Sequence, residues 1–444
     1  MANILIIAGF DPTGGAGLQA DLKTVTLLGE VGLTVATALT VQNTQGVQVS
    51  EAVNGEILKQ QLESLYADCK IDAVKIGMLP DEETIGIVTY QLKKCPPAFL
   101  VVDPVLKAKN DFFLNKGFRT LINTLFPLAS LITPNLDEVE AILRMRPQNI
   151  AEMKEAAREL KALGPKAVLV TGGDLSNATD VLFDGRDFYI WETTKKQSKP
   201  VHGTGCVFSS AITAFLVKGY PLPEAVMRAQ KVITLAVDAA LQLGKGSLLS
   251  HPYAYIEQHL AYFEVLEALK KGLSILQKER WVTRLVPEVR SNLVYALPYA
   301  RNHAEVAGFP GRLTVVEERL ISCASPAFGV SHHMASVVLK AMEFNRDYRA
   351  AMNIKYRPEI VEKAKTLGYK IKEVSRASES AETKEIEGMS LPWLTETALE
   401  SSSNIPDLIY DKGDLGKEPM IRVLGRTPQE VTHKVVTLAK EVFK

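Results

Sequence analysis

Short apolar runs alternate with helix-period segments along the first part of this chain, and that alternation limits the fold more than any other feature. Residues 4–8, 33–41, 73–76, 99–102, 131–132 and 167–170 have the length and composition of buried strands. Between them, residues 18–28, 57–69, 82–92, 117–125, 137–143 and 151–163 repeat apolar side chains at helical spacing. A strand–helix order of this kind sets successive strands parallel and buries both sheet faces under helices. The expected class is α/β, with a three-layer α/β/α first domain built on a mainly parallel sheet. Residues 181–183 and 188–191, joined through Asp184-Gly185-Arg186, predict a β-hairpin. Helices then dominate 205–243.

At 444 residues the chain exceeds one ordinary domain. A break falls at Gly244-Lys245-Gly246 and His251-Pro252, which predicts a first domain over 1–250, a helical connector over 251–280 and a second, smaller α/β domain over 281–444. That second domain shows strand patterns at 313–316, 350–354, 369–374, 408–410 and 421–424, with helices at 334–343 and 358–367. Thr427-Pro428-Gln429-Glu430 reads as a capping box opening a last helix. The polar stretch 375–388 predicts an exposed loop.

Lysine plus arginine equal aspartate plus glutamate at 51 each, so nothing global favours a nucleic acid or an anionic membrane. No apolar run reaches membrane-span length, and MANILIIAGFDP lacks a basic leader, so a cytoplasmic protein is expected. Cys69, Cys95, Cys206 and Cys323 have neither disulfide-framework nor zinc-site spacing. Cys69, Cys95 and Cys323 read as core or incidental.

The chemistry concentrates in His202-Gly203-Thr204-Gly205-Cys206, which opens an apolar helix pattern. Two glycines flanking a threonine at a helix start leave backbone N–H groups free to converge on an anion, with the helix dipole adding to the pull. A cysteine in that first turn is expected to have its thiolate stabilised by the same field. An anion hole beside an activatable side chain suits phosphoryl transfer. The same residues also suit an ordinary glycine-rich helix start. Gly15, Gly17 and Ala20 form a GxGxxA, but the link from the preceding strand is too long for a dinucleotide turn. No Lys-Ser/Thr follows those glycines, which excludes a Walker A loop.

AGFDPTGGAGLQADLKT, TALTVQNTQGV, IGMLP, VVDPV, TPNLDE and HGTGC occur in this order over residues 8–206. Together they resemble the hydroxymethylpyrimidine/phosphomethylpyrimidine kinases of thiamine biosynthesis, members of the ribokinase superfamily. The resemblance implies two ATP-dependent phosphorylations, of hydroxymethylpyrimidine and then of its monophosphate. It implies that Gln42 hydrogen-bonds the aminopyrimidine, that Gly9, Ala16 and Met78 line its faces, and that Asp21 belongs to the substrate site. Asn135-Leu136-Asp137-Glu138 matches the superfamily N-x-x-E element, implying that Asn135 and Glu138 serve Mg²⁺–ATP, Glu138 through water. The same four residues also read as a helix N-cap. Asp103, at a strand end, is a further metal or phosphate-side carboxylate. Thr171 and Gly173 would lie along the nucleotide with Thr204, and Lys245 could supply a basic contact. Cys206 stands where sugar-kinase relatives carry the aspartate that takes the hydroxyl proton, which implies that it acts as the base beside Gly203 and Gly205; the alternative is that it only shapes the pocket. A pyridoxal-type kinase is the rival reading, and Cys206 with Gln42 argues against it.

In the second half, Ser331 reads as an N-cap with His333 in the following turn, where a helix dipole helps hold phosphate. Metal binding by His332 and His333 is not expected, since adjacent side chains diverge. Arg290, Arg312, Arg346, Arg349, Lys355 and Lys417 could neutralise phosphates. EVRSNLVYA, GFPGR, FGVSHH, AMNIKY and DKGDLGKEP, from about Trp281 onward, resemble the ThiN-type thiamine-phosphate synthase module. That resemblance implies coupling of pyrimidine diphosphate to thiazole phosphate with release of pyrophosphate, and the module's essential arginine and histidine fall on Arg312 and His333. Similar modules also act as ligand sensors, so a non-catalytic thiamine-phosphate-binding half is the alternative. A homodimer is the expected assembly, with small-molecule substrates and no nucleic-acid partner.

Overall fold

The computed structural model describes residues 1–108, 111–112, 117–173, 178–193, 199–380, 390–400, 404–414 and 416–444. It divides into two compact units, Met1–Ile256 and Glu257–Lys444.

The first unit carries strands β1 (Asn3–Phe10), β2 (Val31–Asn43), β3 (Gly46–Ala52), β4 (Ala73–Ile76), β5 (Phe99–Val102), β6 (Leu131–Ile132), β7 (Val168–Gly172), β8 (Ala178–Phe183) and β9 (Phe188–Thr193). They form one sheet in the order β9-β8-β7-β6-β5-β4-β1-β2-β3. The six strands from β7 to β2 run parallel, while β3 and the β8–β9 hairpin close the edges antiparallel. Two cores flank the sheet. One contains Leu5, Ile7, Val74 and Ile76, and the other Ile4, Ile6, Val101 and Leu169. Adjacent residues of one strand thus feed opposite cores, as the pleat demands. Sheet and two helical layers give the α/β/α architecture.

Helix 17–27 starts at Gly17, whose φ of +56° places a would-be Cβ 2.2 Å from the Gly9 carbonyl oxygen, so only glycine fits. Residues 117–125 do not form one regular helix. A single turn over Phe118–Thr120 passes into a wider turn over Leu121–Leu125 and a tight one over Phe126–Leu128, where Pro127 has no N–H to continue it.

The second unit holds β10 (Leu293–Ala296), β11 (Val306–Gly308), β12 (Ala327–Phe328), β13 (Ala350–Lys355), β14 (Ile371–Glu373), β15 (Leu408–Asp411) and β16 (Met420–Gly425), in the sheet order β12-β11-β10-β13-β16-β15-β14. Only β14–β15 is parallel. The predicted strand at 313–316 lies outside this sheet, in a separate hairpin with residues 319–322. The helix Ala254–Gln277 is more than a connector. Ala261, Val265, Leu269 and Leu276 are buried in the second unit's core with Leu293, Met352 and Val423. In the predicted capping box, Thr427 accepts from Glu430 N as expected, but the Glu430 carboxylate accepts from Arg426 N instead. The exposed loop expected at 375–388 is corrected over its first residues. Arg376 and Glu379 are buried, and Arg376 with Arg422 grips the Asp411 carboxylate at 2.7 Å each. Residues 381–388 of that stretch lie outside the described residues.

Candidate active site

Parallel strands bring their C-terminal ends to one edge, where α/β sites form. Here β1 ends into the loop of Asp11–Ala16, β4 leads to Met78, β5 to Asp103, β6 to Asn135 and β7 to Thr171. Helix Thr204–Val217 is capped by Gly203 at φ +83°, and a Cβ there would stand 1.7 Å from the Gly15 carbonyl oxygen. The glycine at 203 therefore lets the helix start close on the first loop. A Cβ on Gly9 would meet Met78 Sδ at 3.1 Å, which puts two expected substrate-facing residues in contact.

Beneath this edge lies a buried charge cluster. Lys75 is fully buried in β4, 2.8 Å from Asp21 Oδ2 and 4.0 Å from Asp103 Oδ2. Burial opposes its charge, but the carboxylates outweigh it and hold the ammonium protonated. Asp21 corrects the sequence reading. It is 0% exposed, committed to Lys75 and to the Ser210 hydroxyl at 2.8 Å, and supports the site from below instead of facing a substrate.

Asp103 reaches the start of the helix, with an oxygen 3.4 Å from the Cβ position of Gly205. Burial, opposed by Lys75 and reinforced by Asp21, pushes its carboxyl up to about 6. Glu138 is raised well above the ordinary value by burial and then by the Asp103 charge. The protein therefore leaves the ionised forms of both carboxylates undercompensated, and a cation beside them would favour those forms. Asn135 accepts from Glu138 N at 3.0 Å while Glu138 Oε2 accepts from Asn135 N at 2.9 Å, a full capping box. Asn135 also bridges to Thr171. Gly173 is exposed, and Thr204 is half-buried at the helix start.

The expected low thiol pKa at Cys206 is overturned. Burial pushes it up to about 12, Lys75 pulls down, Asp21 and Asp103 push up again, and the N–H of Gly17 helps only slightly. Desolvation and two carboxylates outweigh the helix field.

Gln42 lies 2.8 Å from His202 Nε2, and that nitrogen is 3.3 Å from Asp11 Oδ2. Asp11 also accepts from Thr13 N and Ala16 N at 2.9 Å each, so one carboxylate holds the glycine loop and the histidine before the helix. Lys245 is exposed on a turn whose Gly246 N donates to Thr44 Oγ1.

In the second unit Arg312, at φ +67°, donates to the Val289 carbonyl, and Arg290 donates to the Gly311 carbonyl at 3.2 Å. Two loops are thereby clasped. Asn292 exchanges hydrogen bonds with Phe309 and donates from its backbone to Asn353 Oδ1 at 2.7 Å. Helix His332–Phe344 follows Ser331, but the Ser331 side chain does not cap it and lies buried beside Gly308. His333 is exposed in the first turn. Lys417 and Arg349 are engaged within the fold, by Glu379 and by the Ala296 carbonyl.

Residues 11–251 match the phosphomethylpyrimidine kinase family, and residues 268–437 match the ThiN thiamine-phosphate synthase family. The bifunctional thiamine biosynthesis protein ThiDN of Methanocaldococcus jannaschii is 34% identical over 447 residues, covering 98% of each chain. The chain belongs to this bifunctional thiamine biosynthesis family. Its kinase half is also 38% identical to the hydroxymethylpyrimidine/phosphomethylpyrimidine kinase of Aquifex aeolicus, over 54% of this chain and 96% of that one. Among solved structures, an ADP complex of Bacillus subtilis pyridoxal kinase superposes with TM-score 0.54 at 34% identity, covering 58% of this chain and 99% of that one. Staphylococcus aureus pyridoxal kinase with AMP-PCP and pyridoxal gives 0.54 at 30% identity, covering 57% and 95%. The kinase half has this ribokinase-like fold, and no helix among the described residues is long and apolar enough to cross a membrane.

Three participants escaped the sequence reading. Lys75 was detectable as the one charge inside the apolar run AVKI. Asp11 and His202 lay within quoted motifs, but nothing in their spacing shows that they meet. In the ThiN half, His303 Nδ1 approaches His332 Nδ1 at 3.3 Å, and its Nε2 is 3.0 Å from Ser336 Oγ.

Proposed function

We propose that the kinase half phosphorylates 4-amino-5-hydroxymethyl-2-methylpyrimidine and then its monophosphate with ATP, and that the ThiN half joins the diphosphate to thiazole phosphate, releasing pyrophosphate. The observation that carries the kinase reading is the meeting of Gln42 and the 204–217 helix start at His202. An amide with donor and acceptor suits an aminopyrimidine, and its neighbour is an anion-binding helix end.

In this reading the ring lies between Gly9, Ala16 and Met78, with its hydroxymethyl group toward Gly203–Cys206. N–H groups of the first helical turn stabilise charge on the transferred phosphoryl group. Asn135, Thr171, Gly173 and Thr204 line the nucleotide side. Asp103 and Glu138 fit Mg²⁺, because both are oxygen donors with undercompensated charge and this ion takes one or two carboxylates plus phosphates and water. When bound, the ion neutralises phosphate charge. Ser250 Oγ, buried near Gly203 without a hydrogen-bond partner, suits a polar ligand at the same place. Lys75 keeps Asp21 and Asp103 from repelling one another apart. In the ThiN half, Arg312 and His333 would hold the departing pyrophosphate or the thiazole phosphate. A homodimer fits the exposed Leu39, Val41 and Val49 on the β2–β3 ribbon, and size-exclusion chromatography checks it. A cytoplasmic location suits four unpaired cysteines. The decisive assay supplies hydroxymethylpyrimidine, Mg–ATP and thiazole phosphate. Thiamine phosphate should form, and pyridoxal should be a poor competitor.

Gln42→Ala should weaken pyrimidine use by about 1–3 kcal/mol, the worth of a buried hydrogen-bonding pair, and leave the synthase step untouched. An unchanged KM for hydroxymethylpyrimidine would take Gln42 out of the site. Cys206→Ala should slow both phosphorylations alike, by about tenfold, because a thiol near 12 holds its proton and serves as a wall of the anion hole. A loss of ~10²-fold confined to the first phosphorylation would instead restore the base role, since only that acceptor carries a hydroxyl proton.

A further inference from the structure

Asp11, His202 and Gln42 form a chain of polar contacts whose hydrogens can be placed by elimination. Asp11 is buried and accepts from Thr13 N, Thr13 Oγ1 and Ala16 N, each at 2.9 Å. Burial raises its pKa, but hydrogen bonds from His202 and Thr13 more than offset this, and the carboxyl stays ionised. An ionised oxygen 3.3 Å from His202 Nε2 favours a proton on that nitrogen, because a lone pair there would face the carboxylate. The Gln42 atom 2.8 Å from the same Nε2 is assigned as the amide nitrogen. Facing an N–H it must be an acceptor, so the two ends of the amide exchange and the oxygen faces His202. The two ends of an amide are distinguished only by their partners, so the network places Oε1 toward His202 and the N–H₂ group on the other side.

Thr40 agrees. Its hydroxyl donates to the Phe10 carbonyl at 2.9 Å, which leaves a lone pair for the Gln42 amide 3.4 Å away. With the amide turned the other way, Thr40 would have one hydrogen for two acceptors, and the His202 lone pair would face a carboxylate.

We propose that Asp11 and His202 are positioning residues that fix the polarity of the Gln42 amide, so that it offers N–H to the substrate and selects a ring carrying an acceptor nitrogen. The inference rests on Gln42 reading the pyrimidine. It adds that the choice of donor over acceptor is made outside the amide, by residues that do not touch the substrate. His202 also lies against Gly15, 3.3 Å from that residue's Cβ position, and directly precedes Gly203. Ring recognition and the anion hole therefore share one support.

The test compares kcat/KM for hydroxymethylpyrimidine with that for two pyridine analogues, each lacking one ring nitrogen, using the full-length protein. The wild type should disfavour one analogue by about 10- to 100-fold, the scale of a buried hydrogen bond. In His202→Phe that discrimination should largely disappear, through a rise in KM for the pyrimidine, because the amide is free to turn. His202→Gln, which can place an N–H near the imidazole Nε2 position, should restore most of it. A purely structural role would not yield this recovery. Thermal melting reports whether each variant folds, and Asp11→Asn supplies a second route, since an amide at 11 can donate to His202 and reverse the proton placement. Full discrimination in folded His202→Phe, or in Asp11→Asn, alongside its loss in Gln42→Ala would overturn the proposal and keep the pyrimidine reading. Full discrimination in Gln42→Ala would overturn both.

Discussion

Lys75→Met should cost the kinase half about 3–5 kcal/mol of stability, the usual penalty for removing one partner of a buried ion pair. The side chain is fully buried, and its ammonium is the cation between Asp21 and Asp103. Without it two carboxylates face each other in a space with little water, and both must take up protons or drag solvent inward. A unit of this size should lose on the order of 2–4 °C of melting temperature per kcal/mol, so a fall of roughly 6–20 °C is expected. The pH dependence gives a sharper check. Asp103 is already pushed up to about 6, above the ~3.9 of an unfolded chain, so its protonation favours folding below that range and the contribution fades as pH climbs through 6. Removing the cation raises Asp103 further and shifts that loss to higher pH. The variant should therefore be least impaired near pH 5 and most impaired near pH 8, measured by urea unfolding against wild type. Combining Lys75→Met with Asp21→Asn should recover part of the loss, because one of the two stranded charges is gone. A single variant within about 1 kcal/mol of wild type at pH 8 would mean that water reaches the cluster and the pair is not a structural keystone.

The parts of this molecule that were legible in sequence share a physical cause. Strands such as AVKI and FLVV are buried on both faces, so their apolar runs are continuous, and the helices between them keep one polar side. The largely parallel character of the first sheet follows, while its strand order came only with the fold. The ThiN half shows four of its seven sheet strands, β13 to β16, but hides β10, β11 and β12, which are only two to four residues long. Val306–Gly308 and Ala327–Phe328 leave no period to detect, and 313–316, which has strand-like composition, pairs locally instead of joining the sheet. Site residues divide the same way. Glycines at 17 and 203 declare themselves because the backbone needs them, and the Asn135 box is written in consecutive residues. Asp21 looked like a substrate contact from its place in a motif, yet its partner Lys75 sits in another strand, and only the fold reveals that the carboxylate turns inward. Cys206 misled for a related reason. Helix position is visible in sequence, but the desolvation that dominates the thiol is a property of everything packed around it.

A fragment spanning Glu257–Lys444 should fold alone and make thiamine phosphate from pyrimidine diphosphate and thiazole phosphate with no ATP. Its own core supports the first expectation. Val265, Leu269 and Leu276 of the 254–277 helix pack with Leu293, Met352, Val423 and Val435, so the fragment must begin ahead of that helix's buried face, and a start near residue 262 would sacrifice Ala261. The second expectation follows from the chemistry. The diphosphate already carries its leaving group, so bond formation needs charge stabilisation on the departing pyrophosphate and no further phosphoryl donor. Arg312 is held at the clasp of the 287–292 and 309–313 loops, and His333 stands exposed at a helix start, which are suitable anchors for two anionic substrates. Arg312→Ala and His333→Ala should each lower turnover by about 10²–10³, the scale for losing one donor to developing negative charge. In the full-length protein neither change should affect phosphorylation of hydroxymethylpyrimidine. Because Arg312 also donates to the Val289 carbonyl, its variant needs a melting curve, and Arg312→Lys should keep the charge while losing the fork that makes the clasp. A folded fragment that binds thiamine phosphate tightly yet turns over neither substrate would make this half a sensor, and the arginine and histidine would then be ligand anchors without a reaction to serve.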